Sequence, residues 1–211
     1  MLLSKSRSGG LALTLLAVSA AAGALCSNVK ADQSSPPGGA GTYRIAAGHA
    51  PGEPAWVKRQ EQANLQRYLG SRRLSVAAKS CKPMPVYSQY TYTNATHLAV
   101  LFRYFEQVYY CHSGGKVTYF YRYRWAQMSS IVPVVDWNPW SFDGHINSGN
   151  DCSNEHCFIR GYRAPSRTAV TKGSFSVCAV KIFGWCNHVY PTLSITVFGD
   201  GSKPVTSETT G

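Results

Sequence analysis

The chain lacks the short motifs that mark many enzymes. It has no G-x-S-x-G nucleophile elbow, no H-E-x-x-H zinc site and no glycine-rich phosphate loop. Asn154-Glu155-His156 is only a fragment of the zinc pattern. The six histidines, at 49, 97, 112, 145, 156 and 188, are scattered rather than grouped. Acidic residues are few, 10 Asp and Glu against 21 Lys and Arg. Long apolar runs are also missing: Leu11 to Ala24 is too short to cross a bilayer comfortably, which argues against a membrane anchor. These absences exclude the motif-defined enzyme classes. They leave open a site assembled only by folding.

What is present begins with an export layout. Lys5 and Arg7 precede the apolar run, and Val29-Lys30-Ala31 offers a small-residue cleavage point. Cleavage there starts the mature chain at Asp32 and leaves 180 of the 211 residues, one domain by length and large enough for a real core. Losing Lys5, Arg7 and Lys30 leaves 18 basic residues against 10 acids, a net charge of +8. A basic exported protein is biased towards an acidic extracellular protein partner or an anionic cell-wall or membrane surface. Nothing points to nucleic acid.

Without Cys26 the cysteines number six: Cys81, Cys111, Cys152, Cys157, Cys178 and Cys186. An even set in an exported chain reads as disulfides, so no metal site and no cofactor is expected of them. Local spacing favours Cys152–Cys157 and Cys178–Cys186, leaving Cys81–Cys111. Closing a short loop such as Cys178 to Cys186 contributes roughly 2–3 kcal/mol on the loop-entropy estimate.

The stretch from His97 to Met128 organises the rest. Two runs rich in Tyr, Phe, Val and Trp flank Ser113-Gly114-Gly115-Lys116, and a Gly-Gly pair supplies the positive φ angles of a tight hairpin. Alternation in the second arm puts Val117, Tyr119, Tyr121, Tyr123 and Trp125 on one face, expected to be the buried one. Thr118, Phe120, Arg122, Arg124 and Ala126 take the other. Further strands are expected at Val86–Thr93, at Ile131–Val135 (an edge or bulge, because of Pro133), and at Phe158–Tyr162, Phe175–Phe183 and Leu193–Phe198. The fold class is therefore all-β: a disulfide-stapled antiparallel sandwich at 81–200.

Residues 32–53 are rich in Gly, Pro, Ala and Ser and read as a flexible arm. Tyr43-Arg44-Ile45 interrupts it as a segment able to dock on a partner or on the protein's own sheet. Residues 54–80 read as a basic helix and lead-in: Val57, Leu65, Tyr68 and Leu69 share one face, and Gly70 supplies a stop. Arg59, Arg67, Arg72 and Arg73 lie on the other face or just after it, opposed only by Glu61, and are the candidates for binding an anionic surface. Residues 201–211 read as a flexible tail.

The long turn-rich loop from Asp136 to Glu155 is the candidate site. With His156 it offers Asp143, His145, Asp151 and Glu155 as general acid–base residues. A calcium loop fails because Ser148 stands where glycine is needed. Trp137 and Trp140 beside these carboxylates suggest a sugar platform, unless they fold inward. The strands Gly173-Ser-Phe-Ser-Val-Cys178 and Tyr190 to Gly201, with Cys186 between, resemble the closing strands of small secreted β-sandwich proteins of high-GC Gram-positive bacteria. Some of those serve as adaptors in large secreted toxin particles of the umbrella type. The resemblance implies an assembly role and carries no site residue. The expectation is a secreted, non-enzymatic interaction module; the alternative is a small hydrolase or toxin using the Asp136–His156 loop.

Overall fold

A two-stranded ribbon is marginal in water until its faces are covered, and this ribbon is covered on both. The computed structural model describes residues 39–70, 82–131, 137–146, 157–158, 164–180, 184–206 and 208–210, all within the unit Ser34–Gly211. The elements are β1 (Gly39–Ala47), α1 (Ala55–Leu69), β2 (Met84–Asn94), β3 (Val100–Ser113), β4 (Lys116–Met128), β5 (Ser141–Ile146), β6 (Cys157–Phe158), β7 (Ser166–Cys178), β8 (Cys186–Val189), β9 (Pro191–Phe198) and β10 (Glu208–Thr210). They form two antiparallel sheets. The first has the order β1-β2-β3-β4-β6; the second runs β10-β9-β7-β5, with β8 also paired to β7. β2 and β3 face β9, and β4 faces β7 and β5. The fold is an antiparallel β-sandwich with a short N-terminal helix, stapled by Cys178–Cys186. Cys111 is disulfide-bonded as well. Cys81 and Cys152 lie outside the described residues, and of Cys157 only the backbone is described.

The hairpin closes as its glycines dictate. Gly114 and Gly115 sit at φ 58° and 70°, and Ser113 pairs with Lys116. Along β4, Tyr119, Tyr121, Tyr123 and Trp125 pack with Phe105 and Tyr109 beneath Val57, Trp56, Leu65 and Tyr68. The opposite face is buried too: Phe120, Arg122 and Arg124 are 3%, 1% and 3% exposed against the second sheet. The alternation erred at one position. The β3–β4 register shifts at Cys111/His112, so Val117 turns to the inter-sheet side with Phe120, Ile195 and Val197.

The supposed arm contains a strand. β1 pairs with β2 along all nine residues, from Gly39 opposite Asn94 to Ala47 opposite Val86. Its glycines belong there because a Cβ on Gly41 would lie 2.1–2.3 Å from the Tyr90 side chain, and one on Gly39 would meet Tyr92 and the Thr93 carbonyl. The rings of β2 thus lie across β1's bare backbone, the aromatic rescue of edge glycine, while Tyr43 packs on Tyr90 at 4.8 Å. The tail is also partly structured: Val205 exchanges both backbone hydrogen bonds with Thr196, and β10 pairs with β9. Ile131 lies outside any strand, and residues 132–136 and 159–163 are not among the described ones.

The helix spans what its pattern predicted, with two differences. Pro54 takes the N-cap position with no side-chain cap, and Gly70 keeps a right-handed φ of −72° with its N–H still bonded to Gln66. Glu61 lies on the sheet-facing side with Val57 and Asn64, not among the solvated basic residues. At the far end of the sandwich, a Cβ on Gly199 would fall 2.3 Å from Lys116 Cα, so backbone meets backbone there.

Three substitutions test this architecture. Trp125 is 6% exposed and stacks on Phe105 at 5.1 Å. Trp125→Ala should therefore cost roughly 3–5 kcal/mol in denaturant unfolding. Gly41→Val should cost about 1–3 kcal/mol by displacing Tyr90, whereas exposed Thr42→Ala should stay within about 0.5 kcal/mol of the parent. Equal melts for the last two would mean that β1 is no part of the folded unit.

Candidate functional site

The aromatic residues of the expected site are in the core. Trp137 and Trp140 are 2% and 3% exposed. Trp137 bridges Ala179 through its backbone and packs on Trp185, and Trp140 packs on Tyr92 and Phe102. Neither indole presents a free face, so neither forms a surface platform. Residues 147–156, and with them Asp151, Glu155 and His156, lie outside the described residues, as do Arg72 and Arg73. Arg59 and Arg67 are exposed on α1 beside Lys58.

Asp143 and His145 are described, and they diverge. The β5–β7 register shifts between Phe142 and Gly144, which leaves Asp143 in a bulge. Gly144, at φ 136°, absorbs the change of direction. Asp143 turns to the outer face of the second sheet, where its carboxylate accepts hydrogen bonds from Ser176 at 2.6 Å, Ser174 at 3.1 Å and Ser141 at 3.2 Å. His145 turns the other way, towards the first sheet, and shares a 2.7 Å hydrogen bond with the Tyr104 hydroxyl. A carboxylate and an imidazole on opposite faces of one strand cannot act as a coupled pair.

Behind His145 the sandwich interior is polar. The Tyr104 hydroxyl also bonds Thr171 Oγ1 at 2.8 Å, and Arg124 Nη1 donates to the same oxygen at 3.3 Å. Arg122 Nη1 donates to the Val170 carbonyl and lies 3.9 Å from Glu106 Oε1. Glu106 pairs in register with Arg124 and sits next to Arg122, all within 3% of complete burial. Burial, and then the Arg124 and Arg122 guanidinium groups, lower His145 to about 4. The ring is neutral at pH 7. The network can orient a neutral imidazole and a phenol; it contains no activated nucleophile.

A second polar group, which sequence reasoning missed, ties α1 to the outer face of the first sheet. Tyr119 and Tyr123 donate to the two carboxylate oxygens of Glu61 at 2.6 and 2.9 Å, and Asn64 donates to Tyr123. Just before the helix, Glu53 Oε1 accepts from Tyr109 and Gln107, while Oε2 meets His49 Nδ1 at 2.8 Å. Burial pushes the tyrosine hydroxyls of this group well above their ordinary range, reinforced by the adjacent carboxylates. The sequence did carry a signal: Val57, Glu61, Asn64, Leu65 and Tyr68 fall on one helical stripe.

Two surfaces remain. A depression of about 420 Å³ is lined by Val100, Phe102, Arg103, Gln127, Met128 and Ser129, with no carboxylate or imidazole in its wall. The other is the margin of the first sheet: among the described residues β1 is its terminal strand, and its register with β2 is unbroken. Arg44 is exposed there and is the strand's single charge. Ile45 beside it is 37% exposed. No group of three or more His, Cys, Asp or Glu side chains among the described residues is placed to hold a metal ion.

His145 provides a test of the interior. Its folded-state pKa lies below the unfolded value, so the unfolded chain binds the proton first and stability falls as pH drops from about 6.5 to about 4. The loss should be on the order of 2 kcal/mol after allowance for partial exposure. In His145→Gln, urea midpoints measured across this range should lack that contribution. Matching acid losses in parent and variant would place the imidazole in water.

No family model, curated protein or solved structure matches the chain, so its functional reading rests on its own geometry.

Proposed function

We propose that the protein works outside the cell as a non-enzymatic interaction module, an adaptor or binding subunit of an extracellular assembly. The observation that carries this reading is the β1 margin. A nine-residue terminal strand with one charge, no proline and no bulge offers a row of backbone donors and acceptors to an added strand. Natural edges are usually blunted by the features this one lacks. Both faces of the first sheet are committed, one to α1 and the other to the second sheet. Disulfide-bonded Cys111, Cys178 and Cys186 support an oxidising compartment, in line with the export layout of residues 1–31. The partner is another extracellular protein; the exposed Lys58, Arg59 and Arg67 add a bias towards acidic surfaces.

The test is affinity capture from culture supernatant with tagged protein, run beside Ile45→Lys. A lysine at that margin obstructs strand addition and leaves the core untouched. A protein captured stoichiometrically by the parent should fall at least about tenfold with the variant, with both melting alike. Undiminished capture by Ile45→Lys would remove the β1 margin from the interface. No stoichiometric partner would overturn the adaptor reading.

A further inference from the structure

The group of residues under α1 serves more than packing. The helix buries a single apolar side chain completely, Val57; its other buried residues are Glu61 and Asn64. Trp56, Leu65 and Tyr68 add partly buried contacts. A helix so seated depends on the polar bonds at its centre. Those bonds converge on one carboxylate, 6% exposed, held between the hydroxyls of Tyr119 and Tyr123. We propose that Glu61 is a proton-operated latch: protonated, it seats α1 firmly on the sheet, and ionised, it loosens the helix from the tyrosine face.

The surroundings of the carboxyl support this assignment. From β4 it meets Tyr119 and Tyr123, with Tyr121 alongside Tyr119. From β3 comes Tyr109, which packs against Tyr123. The segment before the helix contributes Glu53, a like charge, with His49 on its far oxygen. Within α1 itself Asn64 is neutral, Tyr68 packs on Tyr119, and Lys58 and Arg59 are exposed. Glu106, Arg122 and Arg124 belong to the opposite face of the sheet. Among the described residues no basic group lies within ion-pairing distance of Glu61. Phenol donors stabilise an ionised carboxylate only in part. Burial, opposed by those two hydroxyls and helped by Glu53, raises its pKa from 4.5 to about 7.

The direction of the linkage follows. With the folded-state value above the unfolded one, the Glu61 contribution to docking is complete below about pH 4.5 and is lost as pH rises through about 7. This runs opposite to His145, which acts on the other face of the first sheet. The face uncovered as the helix loosens carries Phe105, Tyr109, Tyr119, Tyr121, Tyr123 and Trp125.

Hydrogen exchange on the full mature chain tests the latch. Protection factors, corrected for intrinsic rates, would be followed for α1 amides from pH 5 to 8.5, with the β7–β9 ladder as reference. The parent should lose about 10- to 100-fold of α1 protection over that range, relative to the ladder. Glu61→Gln, an uncharged isostere, should hold α1 protection constant. Should that variant misfold, Tyr119→Phe serves instead: with one donor removed, the α1 transition should move to higher pH. His49→Gln should leave the transition in place. A parent whose α1 protection changes less than about twofold would overturn the latch, as would a transition retained in Glu61→Gln or abolished in His49→Gln.

Discussion

The β3–β4 ribbon is buried on both faces, and the rest of the structure follows from that constraint. A strand with one wet face can alternate apolar and polar residues. A strand with none must either be apolar throughout or satisfy its polar groups internally. This ribbon does the second. Its inner face carries Glu106, Arg122 and Arg124 between the sheets; its outer face carries tyrosines whose hydroxyls end on carboxylates from the helix and the segment before it. The helix is therefore the second cover that the outer rings require.

Tyrosine is what makes the double burial feasible. Its ring packs as a large apolar surface and its hydroxyl asks for one partner at the end. On the outer face the partners are acids, and among the described residues no lysine or arginine lies within ion-pairing distance of them. On the inner face Tyr104 meets Thr171 and His145 and touches no acid, while the guanidinium groups stay close to Glu106, a carbonyl and a threonine. Burial disfavours the charged form on both faces, which is why the acid Glu61 shifts up and the base His145 shifts down.

Much of the fold could be read from local chemistry. The Gly114-Gly115 turn, the α1 span and the Cys178–Cys186 pair each rest on short-range rules, and each is present. What escaped depended on partners distant in sequence. Gly39 and Gly41 look like linker residues until Tyr90 and Tyr92 are laid across them. Glu61 looks like a solvated acid until Tyr119 and Tyr123 are brought beneath it. Val117 changed sides through a bulge that no alternation pattern predicts. The site loop was legible only as composition. Alternation would put Asp143 and His145, two positions apart, on one face, and the bulge at that point sends them to opposite ones.

β1 and β10 are each a terminal strand of their sheet and are the first and last described strands in the chain. β1 flanks β2, β10 flanks β9, and β2 faces β9, so the first and last described strands run along the same margin of the sandwich. Neither lies between two others in its sheet. The order of pairing would thus be unchanged if those ends were joined and the chain reopened at the exposed Gly114-Gly115 turn. Circular permutation at that turn would keep every strand neighbour except the direct β3–β4 connection. It would also convert the most local pairing in the protein into its most distant one, separating the part of folding speed set by contact order from the part set by the ribbon's own stability.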